Sequence, residues 1–267
     1  MHIINFHQAL LNKKIPILID SDQIGSYFRE QGYQTVLFDN YDFTAQQTVF
    51  AIISDYHYHD EIVKSNTSAS TLIHLLVIRY DPNQLAVAYS FEQLLSCNFR
   101  QVLELRTQVY EQIAETEEEL YLFDDKGSKL NCFLSENLEV VNTDDELEPG
   151  WFYSISEILE SGIVNIQSDK SSFSVEGTFF FDGIVYACAN PDVRERNQDA
   201  LTYLLERVAS SQEKYVEIKD NAITCLVLDS SDRTSILLEM NYGLERNLSC
   251  TEIGFGCNKT IAKNVNW

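Results

Sequence analysis

Near the C-terminal end the stretch "NLSCTEIGFGCN" (247–258) sets one acid, Glu252, between a β-prone run and two glycines, Gly254 and Gly256. A carboxylate beside glycines suits a metal ligand or an acceptor for an amine or amide, provided other donors join it. Upstream, "SDYHYHDE" (54–61) carries His57 and His59 two residues apart, flanked by Asp55. On an extended strand that spacing points both rings to one side, a possible half of a metal site. The other histidines are His2, His7 and His74, so a third and fourth ligand must come from far away in the chain. A solvated loop rich in aromatic residues is the competing reading of this stretch.

Other chemistries find little support. Every cysteine follows every histidine in sequence, and no Gly-x-Ser-x-Gly elbow is present. No Gly-rich phosphate loop opens a helix, because Gly25 and Gly32 stand alone and Gly254-x-Gly256 lacks the third glycine and a basic neighbour. Glu157 with Glu160, and Asp144, Asp145 and Glu146, are adjacent acids that could act as carboxylate pairs. Among 41 acids such clusters also arise on solvated faces.

The charge narrows the partners. A formal net charge of −22 repels nucleic acids and anionic membrane surfaces and favours neutral or basic ligands; it also keeps a protein in solution. Six dispersed cysteines with no Cys-x-x-Cys, and an N-terminal stretch without signal-peptide order, suggest reduced thiols and a cytoplasmic protein. No apolar run is long enough to span a bilayer.

The elements that must position these residues fall into two styles, giving an α/β fold class. Up to about residue 118, β-branched runs "IPILI", "QTVLF", "TVFAIIS" and "STLIHLLVI" alternate with helical patterns, which predicts a mostly parallel sheet with helices against it. Asp20-Ser21-Asp22 predicts a helix N-cap and Gly32 the stop. Helical spacing runs from Phe91 to the acidic cluster 115–119, the expected junction between domains 1–118 and 119–267. Beyond it strands dominate, with a hairpin over 120–134, tight turns at 182–183 and 220–221, one helix over 190–210 and a short one within 229–240. This second half is expected to be strand-rich and barrel-like.

The order "EPGWFYSISE", "GIVN", "EGTFFFDGIVY" and "MNYGLERNLSCTEIGFGCN" resembles the C-terminal domain of thermophilic-type aminopeptidases, two-domain metallopeptidases whose fold a non-peptidase dioxygenase shares. The resemblance covers roughly residues 118–258. It implies a metal-binding glutamate at Glu252, framed by Gly256 and Asn258, and another at the position of Trp151, which Glu148 and Glu157 flank. The histidines that complete such a site are missing, since none follows His74. A narrower resemblance, carried by "ELEPGWFYSISEILESGIVN" and "SFSVEGTFFFDGIVYA", is to short non-catalytic relatives that bind peptides in crocagin-type modified-peptide biosynthesis.

That likeness implies a metal-free, cofactor-free protein that grips a precursor peptide and assists its modification or cyclisation, in company with other biosynthetic proteins and as a possible homodimer. The expected peptide contacts are Trp151, Phe152, Tyr153 and Glu252, in a cleft between the two domains. Aromatic side chains dominate binding hot spots, although core packing is the plain alternative for each of the three. A metal-dependent aminopeptidase-like hydrolase, or a scaffold subunit of a biosynthetic complex, are the rival expectations.

Overall fold

The computed structural model describes residues 1–65, 69–77, 84–165, 172–186, 190–243 and 248–261. In chain order the first elements are α1 (Ile3–Leu11), β1 (Ile17–Ile19), α2 (Asp22–Glu30), β2 (Thr35–Leu37), β3 (Thr48–Ile53), α3 (Tyr56–Ser65), β4 (Thr71–Leu76), α4 (Gln84–Ser96) and α5 (Phe99–Ala114). There follow β5 (Glu119–Phe123), β6 (Lys129–Leu134), β7 (Val140–Val141), β8 (Phe152–Ser154), α6 (Ile155–Leu159), β9 (Glu160–Val164) and β10 (Phe173–Phe180). The last are α7 (Pro191–Arg196), α8 (Gln198–Ser210), β11 (Lys214–Lys219), β12 (Ala222–Leu228), β13 (Ser231–Asp232), α9 (Thr234–Met240) and β14 (Glu252–Gly256).

Two compact units share the chain. The first holds Met1–Thr107, regains the chain at Asn142–Ser161, and takes a further short stretch from Gly256. The second is built from Gln108–Val141 and Gly162–Phe255. The first crossing falls inside α5, ahead of the acidic cluster at 115–119.

The first unit carries a five-stranded sheet in the order β2-β1-β3-β4-β8, every pair parallel. Its strands are apolar on both faces, as a parallel sheet covered on both sides requires. Leu18, Val49, Ala51, Ile53 and Leu72 face one layer, where Ile62, Tyr56 and Tyr58 of α3 and Phe38 pack. Phe50 faces the other, within ring contact of Phe6 from α1 and Phe91 from α4. The helix predicted after Asp20-Ser21-Asp22 forms and ends at Gly32, whose φ is +83°. Asp20 itself does not cap it. Its carboxylate accepts from the Ser54 and Asp55 amides and from the Ser54 hydroxyl, joining the ends of β1 and β3. Burial raises its pKa against these bonds.

A buried guanidinium ties the late segments of this unit to its early ones. Arg106 on α5 is 3% exposed and donates to Asp145 at 2.5 Å and to the Ile158 carbonyl at 3.1 Å. Asp145, one of the three adjacent acids at 144–146, is thus the ion-pair partner of Arg106.

The second unit contains a six-stranded antiparallel sheet, β13-β12-β11-β10-β6-β5, and a three-stranded one, β14-β9-β7. Among the described residues the larger sheet does not close on itself: β13 and β5 are its ends, so the expected barrel is an open sheet. The hairpin predicted over 120–134 is β5 and β6, and the Asp220-Asn221 turn joins β11 to β12 with both φ values positive (50° and 62°). That backbone matches the strand twist and suits Asp and Asn. Leu130, Cys132, Phe173 and Val175 form one packed face with Ile163 of β9 and Ile113 of α5, joined by Ile253 and Phe255 of β14. The helix predicted over 190–210 breaks at Asn197, whose buried amide donates to the Met240 carbonyl at the end of α9 (2.7 Å).

Candidate functional site

Glu252 opens β14, and β14 is positioned by two asparagines and a glycine. The Asn221 side chain donates to the Cys250 carbonyl (2.9 Å), and the Cys250 amide donates to the Asn221 carbonyl (2.8 Å). Asn165, at the end of β9, accepts from the Ser172 and Phe173 amides and donates to the Phe173 and Cys250 carbonyls. Buried amide side chains need such partners, so these two residues fix the approach to β14 from both sides. Gly162 then lets the strands close up. A Cβ there would stand 2.8 Å from the Ile253 carbonyl oxygen and 3.2 Å from the Gly254 Cα.

The hydrogen bonds also say which backbone groups of β14 are left over. The Asn165 amide donates to the Thr251 carbonyl and the Cys257 amide to the Leu159 carbonyl, so the strands run antiparallel and the odd-numbered residues of this stretch face β9. The N–H and C=O groups of Glu252, Gly254 and Gly256 point to the opposite side, and among the described residues β14 ends its sheet. All three residues are exposed. Among the described residues Gly256 has no conformational or steric need to be glycine, since its φ lies outside the left-handed region and a Cβ would meet none of their atoms within 4 Å.

Beside this edge lies a cavity of about 450 Å³ belonging wholly to the second unit. Leu130, Val175, Val216, Ile218 and Ile223 line it from the larger sheet, and Ile253 and Phe255 from β14. Glu252, Gly254, Phe123, Asp124 and Phe179 also border it. Asp124 is occupied: it accepts from the Lys126 and Ser128 amides and the Ser128 hydroxyl, and these bonds hold its pKa below the usual carboxylate range. The Glu252 carboxylate makes no hydrogen bond or ion pair with a described residue. The arrangement offers an apolar chamber, an unoccupied carboxylate and a strand edge stripped of side chains by two glycines.

The three aromatic candidates lie in the first unit. Tyr153 is buried and its hydroxyl accepts from the Glu148 amide (2.9 Å). The Phe152 ring stacks on His74 at 4.2 Å, and Trp151 is 59% exposed. Of the three, only Trp151 turns its ring mainly to solvent. The histidine pair is not on a strand. His57 and His59 fall in α3, where two residues turn through roughly 200°, so the rings diverge. His57 pairs with Glu61 (3.1 Å), while the His59 ring lies 5.5 Å from that of His74. Burial, and then the neighbouring His59, depress the His74 pKa to about 3. Among the described residues no three His, Cys, Asp or Glu side chains gather in a way that would hold a metal ion. No described helix is long and apolar enough to cross a membrane.

The cavity itself was not visible in the sequence. Its one local signal is the alternation in "ELYLF", where Leu120 and Leu122 turn inward and Tyr121 and Phe123 outward.

Comparison with known proteins adds the following. A search of curated proteins returns no significant match. The solved structure of 2,5-dihydroxypyridine dioxygenase from Pseudomonas putida KT2440 aligns with a TM-score of 0.44 and 13% identity, over 94% of this chain and 74% of its own. The family model described as crocagin biosynthetic protein CgnE/B matches residues 12–267. With nearly its whole length inside that match, the chain belongs to the crocagin biosynthetic protein CgnE/B family, a family of natural-product biosynthesis.

Proposed function

We propose that this protein binds a ribosomally made precursor peptide, without a metal, and holds it for modification or cyclisation. The peptide adds as a strand to the free edge of β14 and places apolar side chains in the adjoining cavity. The observation that carries this reading is the pair Gly254 and Gly256 beside that cavity, on a strand edge that pairs with no other strand among the described residues. Glycine in a strand weakens it and marks places where another backbone comes close, and Gly256 answers no other demand of the fold. Backbone bonds along the edge supply affinity, and the pocket supplies side-chain choice. The cavity falls within the range of roughly 300–1,000 Å³ common to ligand sites.

Glu252 accepts from a peptide amine or amide in this reading. Trp151 offers a peptide an exposed aromatic surface of its own on the first unit, while Phe152 and Tyr153 act through packing. Holding the peptide in one conformer shortens the search for reacting atoms without a catalytic group from the protein.

Calorimetric titration with candidate precursor peptides tests the reading. The Gly254→Pro variant removes one outward N–H and no internal bond, so it should weaken binding at least tenfold while leaving the melting temperature within a few degrees. Glu252→Gln should weaken it by roughly tenfold, the worth of one charge-assisted bond. An affinity unchanged by Gly254→Pro rules out addition at β14.

A further inference from the structure

We infer that β5 is a second strand-docking edge, and that it takes an extended polypeptide segment with basic residues flanking an apolar centre. The inference rests on the peptide-binding reading and extends it to a part of the ligand outside the cavity. β5 ends the six-stranded sheet. The Leu134 amide donates to the Glu118 carbonyl, and the Asp124 amide to that of Ser128, so the even-numbered residues bond β6. The backbone groups of Glu119, Tyr121 and Phe123 therefore point away from the sheet.

The side chains at this edge are unusual for one kept apart from partners. Natural sheets guard edges with charges, prolines or bulges, yet Tyr121 is 66% and Phe123 82% exposed, and Phe133 on the neighbouring strand is 42% exposed. Aromatic side chains in such positions provide contact area at low entropic cost.

Charge selects the occupant. Glu115, Glu117 and Glu118 precede the strand, Glu119 opens it, and Asp124 and Asp125 follow it. Those acids frame the aromatic pair at both ends, so a segment with lysine or arginine on each side of a β-prone centre complements the edge. A second copy of this chain would set acids against acids. Phe123 and Asp124 also border the cavity, which makes the edge continuous with the site proposed above.

The probe is a capped nonapeptide with two lysines at each end of a Val-Thr-Val-Thr-Val centre, titrated into the full chain by fluorescence anisotropy. A glutamate-ended counterpart and a copy N-methylated at alternate residues are titrated in parallel. The lysine probe should bind with an affinity that falls as salt rises, and the glutamate and N-methylated probes at least tenfold more weakly. Tyr121→Pro, which removes an outward N–H and an exposed ring but no bond to β6, should weaken the lysine probe at least tenfold, while Gly254→Pro leaves it unchanged. Loss of precursor binding to Gly254→Pro is a separate readout, so either site can fail without the other. No binding of the lysine probe, equal binding of the glutamate or N-methylated probe, or wild-type binding by Tyr121→Pro would overturn the inference. So would a concentration-dependent dimer in sedimentation that Tyr121→Pro abolishes, since the edge would then belong to a second copy. The N-methylated probe keeps the test decisive even if the proline variant folds poorly.

Discussion

Gly162 and Gly256 offer a paired test of how β14 is held, because the same small change meets opposite surroundings. In Gly162→Ala the new methyl would lie 2.8 Å from the Ile253 carbonyl oxygen, and neither atom is the end of a flexible side chain. The strands must separate by several tenths of an ångström. Overpacking of this kind costs about 1–3 kcal/mol, and the reduced freedom of the unfolded chain returns about 0.4–1 kcal/mol. A net loss of about 1–2 kcal/mol is expected. In Gly256→Ala the methyl enters open space at an ordinary φ. Only the unfolded-state term remains, and that variant should be neutral or slightly more stable. A chain with two units need not unfold in one step, so amide exchange is the sharper assay. The Asn165 and Cys257 amides donate across the β9–β14 pair, and their exchange should quicken in Gly162→Ala and stay unchanged in Gly256→Ala. Unaltered exchange and stability in Gly162→Ala would show that β14 does not rest on β9 at this distance. The description of the free edge would fall with it.

Other perturbations have calculable signs. Gly177→Ala should be the most damaging glycine change, by more than about 3 kcal/mol: its φ is +128° and a Cβ would lie 2.1 Å from the Lys129 carbonyl oxygen, adding strain to overpacking; urea melts of the variant would show it. His74 is neutral in the folded chain down to about pH 3 but protonates near 6.5 when unfolded. Stability should therefore decline as pH falls below 6.5, by about 2 kcal/mol at pH 5 from this residue; a His74→Phe variant should lose one proton's worth of that slope in urea melts taken at several pH values. Asp145→Ala strands the buried Arg106 charge and should cost about 2–4 kcal/mol, at the lower end of the range for broken buried pairs because Asp145 is half exposed. Arg106→Met removes the charge itself and should cost less. The reverse order would mean that the Ile158 bond, not the ion pair, carries the site.

Much of the fold was legible because it rests on local pattern. The buried strands of the first unit read as β-branched runs between turn residues, and Asp220-Asn221 announced a tight hairpin through its tolerance of positive φ. Length and termination misled where local choice was balanced. "YHYHDEIVKS" carries aromatic residues that suit an extended loop, but Tyr58 and Ile62, four residues apart, share a helical face that packs over Phe38 and Ile53, with Tyr56 beside it. The route of the chain was not legible at all. Residues 142–161 return to the first unit through Arg106, β8 and α6, and contacts between segments so far apart leave no periodic trace in sequence. For the same reason Glu252 could be singled out as chemically unusual, while the chamber beside it, assembled from six strands, could not.

Acidity and open strand edges bear on one another in this protein. A sheet edge with outward aromatic residues invites self-pairing, and a net charge of −22 opposes it. The same field draws basic segments inward, with a range of about 8 Å at physiological ionic strength. Steering of that kind raises the rate of encounter more than the lifetime of the complex, whereas the apolar cavity and the bonds of a strand edge govern release. On the proposed reading the two edges divide this labour. The acids around β5 gather the ligand, and the glycine-bordered edge of β14 retains it. Raising the salt from 50 to 300 mM should then slow association of the precursor peptide severalfold and leave its dissociation rate nearly constant in stopped-flow traces. A dissociation rate that rises in step with salt would place the retaining contacts on charged groups, and Glu252 rather than the cavity would become the main anchor.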